Sequence, residues 1–238
     1  MTRSEHVMWH DVECGRYDAD LALWLALAEA AEGPVLDVGA GTGRVALRLA
    51  AAGYEVTALD NDAELLAALA ERADAAGVEI ETMVADAADF ELPPRFELIA
   101  VPMQTLQLLD ERAGFFASAS GALAPGGLVA VAIADALDAF DETAPLPLPD
   151  TGEEDGRQFV SQPVAVRELP GTVRIERIRQ IVAPDGTRTS TDDVIELHSV
   201  SAESLAEEAE RHGLRAETPL EIPPTDEHVG STVVMLRG

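Results

Sequence analysis

A glycine-rich turn that follows a short apolar run constrains the fold of this chain more than any other feature. The run Val35–Val38 has the length and composition of a buried strand, and residues 37–43 read DVGAGTG. A helical pattern follows from Thr42 to about Ala52, with Gly53 as its C-terminal cap. A strand, a glycine turn and a helix in this order are typical of a nucleotide-binding α/β unit.

The alternation of helical patterns and apolar runs continues through the first half of the chain. Strands that alternate with helices predict an α/β fold with a doubly wound, mostly parallel sheet. The further predicted helices are 18–31, 62–76 and 111–123, and the further predicted strands are 55–59, 78–84, 96–101 and 128–134.

The regular alternation stops at Asp135. The stretch from there to Gly156 is acidic and proline-rich, which predicts a long loop with at most a short helix near Ala136–Phe140. Three strand-like runs then predict an antiparallel meander, and a break in their alternation at Glu176–Arg177 predicts a β-bulge. The meander runs are 158–168, 172–182 and 190–199, and they are followed by a predicted helix at 202–212 and predicted strands at 215–222 and 231–236.

Charge and composition narrow the classes of partner. The 238 residues carry 16 basic and 44 acidic side chains, and every basic one is Arg. A net charge of −28 repels phosphate backbones, so we expect no nucleic-acid partner. The sequence has neither a signal-peptide pattern nor an apolar run of about 18 residues, so we expect a cytoplasmic protein without membrane contact. Cys14 is the only cysteine, and no metal site is expected.

The spacing of the glycines distinguishes two classes of cofactor. Dinucleotide-binding turns follow GxGxxG, whose third glycine packs the helix against the strand, but Arg44 stands at that position here. The glycines instead follow GxGxG, and Asp37 lies two residues before the first of them. A carboxylate there repels a pyrophosphate and attracts positive charge. The turn therefore favours a cationic cofactor.

Acidic residues also follow the next two predicted strands. Asp60 ends the strand after the glycine turn, where a carboxylate accepts hydrogen bonds from ribose hydroxyls. Asp86 follows the third strand, where a side chain can accept a hydrogen bond from an adenine amino group. Since parallel strands end at one edge of a sheet, these carboxylates and Asp37 are predicted to face one crevice. The pattern predicts a nucleoside-binding site.

In this order, the motifs resemble those of the class I S-adenosylmethionine-dependent methyltransferase family. Val35–Arg44 resembles its motif I, Leu59–Asn61 the acidic end of its motif II, and Ala85–Ala87 its adenine-contacting motif. Phe96–Gln104 is similar to the strand and loop beside the methyl group, and Leu123–Gly127 to the turn before the fifth strand.

The resemblance implies a single methyltransferase domain over residues 1–238. Within it, residues 17–134 form the cofactor-binding half, residues 135–200 an acidic loop and antiparallel β insert, and residues 201–238 the final helix with strands 6 and 7. The implied fold is Rossmann-like, with seven strands in the order 3-2-1-4-5-7-6 and the seventh antiparallel. The implied cofactor is S-adenosyl-L-methionine, with S-adenosyl-L-homocysteine as its product. The residues expected to bind it are Tyr17, Asp37, Gly39, Ala40, Gly41, Gly43, Asp60, Asn61, Asp86, Ala87, Val101 and Met103.

The family's motifs also narrow the methyl acceptor. Relatives that methylate amino groups of adenine or glutamine carry Asn/Asp-Pro-Pro-Tyr after the fourth strand, whereas residues 101–104 read VPMQ here. No acidic cluster suits metal-assisted catechol methylation, and Cys14 lies too far upstream to serve as the nucleophile for methylation of a nucleobase carbon. We therefore expect methyl transfer to a nitrogen or oxygen of a small-molecule amine or hydroxyl acceptor, achieved mainly by positioning. The insert resembles that of small-molecule N-methyltransferases, which favours an amine acceptor and a monomer or a homodimer through the insert.

Two histidines are candidates for a general base, because imidazole is suited to accept a proton near neutral pH. If the last strand is antiparallel, the loop before it, which carries His228, lies at the ligand-binding edge of the sheet. His198 leaves the meander just before the last helix and is the second candidate. Two other functions stay open at this point: an NAD(P)-dependent oxidoreductase and a non-catalytic nucleoside-binding protein.

Overall fold

The computed structural model describes residues 4–134, 137–141, 143–225 and 229–238. Its α-helices are α1 (Glu5–Cys14), α2 (Leu21–Ala31), α3 (Ala46–Ala51), α4 (Ala63–Ala76), α5 (Ala113–Ala122) and α6 (Ala202–Glu210). Its strands are β1 (Val35–Val38), β2 (Val56–Asp60), β3 (Glu81–Val84), β4 (Phe96–Val101), β5 (Leu123–Ile133), β6 (Asp150–Glu154), β7 (Arg157–Leu169), β8 (Thr172–Val182), β9 (Arg188–His198), β10 (Arg215–Ala216), β11 (Leu220–Ile222) and β12 (Ser231–Arg237). Within the described residues, no helix is both long enough and apolar enough to span a membrane.

The larger sheet has the predicted topology. Its strand order is β10-β12-β5-β4-β1-β2-β3, with β11 also paired to β12. Strands β1 to β5 are parallel, and β12 runs antiparallel to β5. With β10 and β11 together as strand 6 and β12 as strand 7, this is the order 3-2-1-4-5-7-6, so the predicted Rossmann-like fold is confirmed. The predicted strand at 215–222 is divided into two short strands.

The main sheet is buried on both faces, which explains why its central strands are continuous apolar runs. Val35 faces one hydrophobic cluster, which contains Trp24 of α2 and Leu49 of α3. Its neighbour Leu36 faces a second cluster, which contains Phe115 of α5. The alternating side chains of one strand thereby hold helices on opposite faces of the sheet.

The insert forms a separate antiparallel sheet in the order β6-β7-β8-β9. The prediction of a loop up to residue 156 is wrong for β6, whose Asp150 pairs with Ser161 of β7. The predicted short helix near Ala136–Phe140 is not seen in residues 137–140, and Phe140 forms an isolated bridge with Val166. Asp135 and Ala136 lie outside the described residues.

A β-bulge lies at the predicted level of the insert but on the neighbouring strand. The register shifts between Pro163 and Ala165 of β7, which pair with Arg177 and Glu176 of β8. Val164 is therefore the extra residue of the bulge. The side-chain pattern of one strand showed the level of the irregularity, but only the pairing showed which strand carries it.

Helix α1 precedes the first predicted element and connects the two sheets. The Ser4 hydroxyl caps it by accepting a hydrogen bond from the Val7 N–H at 3.2 Å. On its apolar side, the Trp9 ring packs edge-on against the Phe159 ring of β7, with centroids 5.1 Å apart. This contact holds the helix against the insert.

Candidate functional site

A cavity of about 420 Å³ lies where β1, β2 and β4 end at the carboxyl edge of the sheet. Its walls come from the strand ends, from α1 and from the insert, so the cavity lies between the two sheets. Of the residues that the sequence predicted to bind a cofactor, the lining includes Asp37, Gly39, Ala40, Asp60, Asn61, Asp86, Ala87 and Met103. The other four, which are not among the described lining residues, are Tyr17, Gly41, Gly43 and Val101.

The glycine turn adopts backbone angles that favour glycine. Gly39 has φ +73° and Gly41 has φ +52°. A Cβ atom on Gly39 would lie 2.4 Å from the Thr105 side chain, and one on Gly41 would lie 2.3 Å from Nε2 of His10. In this structure α1 approaches Gly41 closely at the point where a Cβ atom would lie, and contact of Gly41 with the cofactor stays a prediction.

Asp37 is a buried carboxyl group in the cavity wall, with 1% of its surface exposed. Neither carboxylate oxygen makes a hydrogen bond of good geometry to any described residue. Burial raises the pKa of Asp37 to about 7, and the charge of Arg44 and the Ala46 amide oppose this only in part. Arg44 itself donates to both carboxylate oxygens of Asp20, at 2.5 and 2.8 Å. Asp37 therefore has no cation in direct contact among the described residues, and Arg44 stabilises its ionised form only from a distance.

Backbone amides orient two further carboxylates at the cavity. Asp60 at the end of β2 accepts hydrogen bonds from the Gly41 N–H at 2.8 Å and from the Asp62 N–H at 2.9 Å. Asp86 accepts one from the Ala88 N–H at 2.8 Å. Each carboxylate oxygen has more than one lone pair, so both residues retain capacity to accept from ligand hydroxyl or amino groups.

The loop after β4 lines the cavity and has a strained backbone at Met103. Its φ is +55°, a left-handed conformation that is uncommon for a residue other than glycine. The Thr105 hydroxyl donates to the Pro102 carbonyl at 3.0 Å and stabilises the same loop. Sequence analysis predicted that Met103 contacts the cofactor but contained no signal for this backbone conformation.

Helix α1 contributes residues that sequence analysis left without a role. His10, Glu13 and Cys14 line the cavity. Burial lowers the pKa of His10 below 6.5, although the carboxylates of Asp11 and Asp60 act to raise it, so the imidazole is neutral at neutral pH. The helix is fastened to the cofactor-binding half through Asp11, which accepts from Arg72 at 2.5 Å and from the Thr42 hydroxyl at 2.9 Å.

The insert closes the cavity with alternate residues of β8 and β9. Ile175 and Arg177 come from β8, and Ile195 and Leu197 come from β9. Side chains two apart on a strand share a face, so this wall is apolar except for one guanidinium.

The two predicted histidines are placed differently. Nε2 of His198 lies 3.2 Å from a carboxylate oxygen of Asp110. His198 is absent from the described lining of the cavity, whereas its neighbour Leu197 is part of it, so the two side chains lie on opposite faces of β9. His228 lies outside the described residues.

Comparisons with known proteins give the same fold over the whole chain. Residues 35–127 match the family described as "Methyltransferase domain". No curated protein sequence matches the chain significantly. An S-adenosylmethionine-dependent methyltransferase from Clostridium acetobutylicum has a TM-score of 0.72 at 13% identity, covering 98% of this chain and 97% of its own.

Two further solved structures are similar over nearly their full length. The amino pentose methyltransferase CalS10 from Micromonospora echinaspora, with S-adenosylmethionine bound, has a TM-score of 0.71 at 19% identity, covering 97% of both chains. The sugar N-methyltransferase KedS8 from a Streptoalloteichus species has a TM-score of 0.72 at 17% identity, covering 100% of this chain and 94% of its own. At these identities the likeness establishes the fold, including the insert.

Proposed function

From the match of residues 35–127 to the family described as "Methyltransferase domain", we propose that this chain transfers a methyl group from S-adenosylmethionine to the nitrogen of a small-molecule amine. The observation that carries the proposal is Asp37, a carboxyl group buried in the cavity wall without a hydrogen bond of good geometry to any described residue. An ammonium or sulfonium group of a bound ligand would supply the positive charge that this carboxyl group lacks.

The residues of the cavity fit each part of the cofactor. Asp37 suits the positively charged methionine end, Asp60 suits the ribose hydroxyls, and Asp86 suits an adenine amino group. The bound cofactor supplies a methyl group that its sulfonium already activates. The chain therefore has to bind and align the two reactants and exclude water from them.

The acceptor is proposed to lie between the strand ends and the insert. Leu108 and Leu109 line the cavity together with Ile175, Ile195 and Leu197, and such a wall excludes water from an amine nucleophile. The amine is favoured over a hydroxyl group because two of the similar structures are described as an amino pentose methyltransferase and a sugar N-methyltransferase. Both share the fold over nearly the whole chain, including the insert that forms this wall.

A base is needed only when the amine arrives protonated. His228 stays our first candidate, because β12 is antiparallel to β5 and Thr232 near its start pairs with Ile133 at the carboxyl end of β5. Strand β12 therefore begins at the edge of the sheet at which the cavity lies. His198 stays the second candidate, although its imidazole lies beside Asp110.

Calorimetry and a methyl-transfer screen test the proposal. We expect S-adenosylmethionine and S-adenosylhomocysteine to bind in the micromolar range, about −8 kcal/mol, and NADH not to bind. With labelled S-adenosylmethionine, amines should be methylated and the matching alcohols should not. If the folded protein binds NADH and neither sulfur ligand, it is an oxidoreductase. If it binds the sulfur ligands but methylates no compound, it is a non-catalytic binding protein.

A further inference from the structure

One arginine in the acceptor wall has hydrogen-bond donors that the protein does not use. Arg177 of β8 lines the cavity, and its Nε is fully buried without a hydrogen-bond partner in the described part of the chain. The nearest carboxylate oxygens belong to Glu13 and Asp193, at 3.7 and 3.9 Å from Nη1. Both distances exceed the range of a hydrogen bond. A buried N–H group without a hydrogen bond is costly unless a ligand satisfies it.

The contacts of the neighbouring Arg179 explain why Arg177 has no carboxylate within hydrogen-bond distance. Arg179 donates to both carboxylate oxygens of Glu13 at 2.7 Å, and the Ser161 hydroxyl donates to the same carboxylate at 2.8 Å. Arg179 also lies 2.8 Å from an oxygen of Asp193. Arg179 therefore makes the structural contacts between α1 and the insert, and Arg177 is available to the cavity.

The charges around Arg177 indicate the kind of atom that it binds. The positive charges of Arg177 and Arg179 are balanced by the nearby carboxylates of Glu13 and Asp193. A balanced cluster does not require an additional anion, whereas the unused N–H groups require an oxygen acceptor. A neutral hydroxyl oxygen meets both conditions.

We propose that Arg177 donates a hydrogen bond to a hydroxyl group that the acceptor carries in addition to its amine, so that the acceptor is an amino alcohol. This inference rests on the proposed function and names the substrate class. Ile175 on the same strand and Ile195 on the next contact the apolar body of the acceptor. Arg177 thereby selects acceptors that carry the hydroxyl group, because an acceptor without it leaves a buried charged donor unpaired.

Matched amines test this assignment. The 2-, 3- and 4-aminocyclohexanols and cyclohexylamine differ only in the hydroxyl group and its position. With saturating S-adenosylmethionine, we expect at least one aminocyclohexanol to exceed cyclohexylamine in kcat/KM by about tenfold to a hundredfold. In Arg177→Met this preference should fall below about threefold, through the loss of the aminocyclohexanol activity.

Arg174→Met is the matched control. Arg174 lies on the same strand but faces away from the cavity, where its Nε donates to Glu196 at 2.8 Å. This variant should keep the preference of the parent. Affinity for S-adenosylhomocysteine, measured by calorimetry, should stay within about twofold in both variants. If Arg177→Met does not fold, Arg177→Lys replaces it and should lower the preference at least threefold.

The outcomes separate the two proposals. If the amines are methylated but the parent shows no preference, or the preference survives in Arg177→Met, the assignment of Arg177 is overturned and the proposed function stands. If the protein binds S-adenosylhomocysteine but methylates none of the four amines, the proposed amine methylation is overturned, and this inference with it.

Discussion

At the scale of single residues, the burial of the Asp37 carboxyl group affects both the stability of the folded protein and its affinity for a ligand. Its carboxyl group is held at the end of β1 under the glycine turn, and burial raises its pKa to about 7. In the unfolded chain the same group has a pKa near 4. The folded protein without a ligand therefore becomes less stable as the pH rises between these two values.

Replacing this carboxyl group tests its effects on stability and on cofactor affinity. Asp37→Asn should leave stability almost unchanged near pH 4, where the parent is protonated when folded and still about half protonated when unfolded. Near pH 8 the variant should be more stable than the parent by up to about 4 kcal/mol, because the parent then bears the full difference of its two pKa values. Urea unfolding without ligand measures this difference. Affinity for S-adenosylmethionine should fall at least about tenfold near pH 8. A variant that is no more stable near pH 8, or that binds the cofactor normally, would contradict this account of Asp37.

At the scale of secondary-structure elements, one buried glutamine fastens the two ends of the insert. Gln107 lies in the short 3-10 turn Thr105–Leu108 beside the cavity. Its side-chain amide donates to the Ala134 and His198 carbonyls, both at 3.1 Å, and its oxygen accepts from the Ala134 N–H at 2.8 Å. Ala134 follows β5 and His198 ends β9, so this side chain fixes where the chain leaves the core and where it returns.

Removal of this contact should affect the acceptor more than the cofactor. In Gln107→Leu the buried amide and carbonyls lose their partners, and we expect stability to fall by about 2–4 kcal/mol. KM for the acceptor should rise several-fold, whereas affinity for S-adenosylhomocysteine should stay within about twofold, since the insert carries the acceptor wall. Gln180→Leu is the control, because Gln180 is a partly exposed residue of β8 whose amide donates to the Ser190 hydroxyl within the insert. Equal effects of the two substitutions on KM would show that Gln107 does not position the insert.

At the scale of the whole molecule, the net charge of the chain is the dominant long-range contribution to the stability of the folded state. The net charge is −28, because the 44 carboxylates outnumber the 16 arginines nearly three to one. Most surface ion pairs contribute little, whereas repulsion among so many like charges opposes the compact state. Screening by salt reduces that repulsion.

Stability should therefore rise with ionic strength. Between about 0.02 and 1 M NaCl, we expect a monotonic increase in the midpoint of urea unfolding, because the screening length falls from roughly 20 Å to about 3 Å. The same salt series near pH 4.2, where the net charge is close to zero, serves as the control and should show a much smaller increase. A midpoint that falls with NaCl near pH 7 would mean that ion pairs outweigh the net repulsion.

The sequence by itself determined the local elements and their order. The glycine turn, the apolar strands and the positions of Asp37, Asp60 and Asp86 follow from periodicity and from residues close together in the chain. Parallel strands end at one edge, so the pattern also placed these carboxylates around a common cavity, as the structure shows. Such features depend on local backbone conformation and on alternating burial, which a short window of sequence contains.

Only the tertiary structure decided what covers the cavity. Glu13 is 166 residues from Arg179 and Gln107 is 91 residues from His198, yet each pair is in contact. The position of α1 over Gly41, and the choice of β7 to carry the bulge, likewise depend on how folded elements pack against each other. The physical reason is that these contacts are stabilised by burial and pairing of side chains from distant segments. A short window of sequence contains only one of the two partners of each contact, so no local pattern records them.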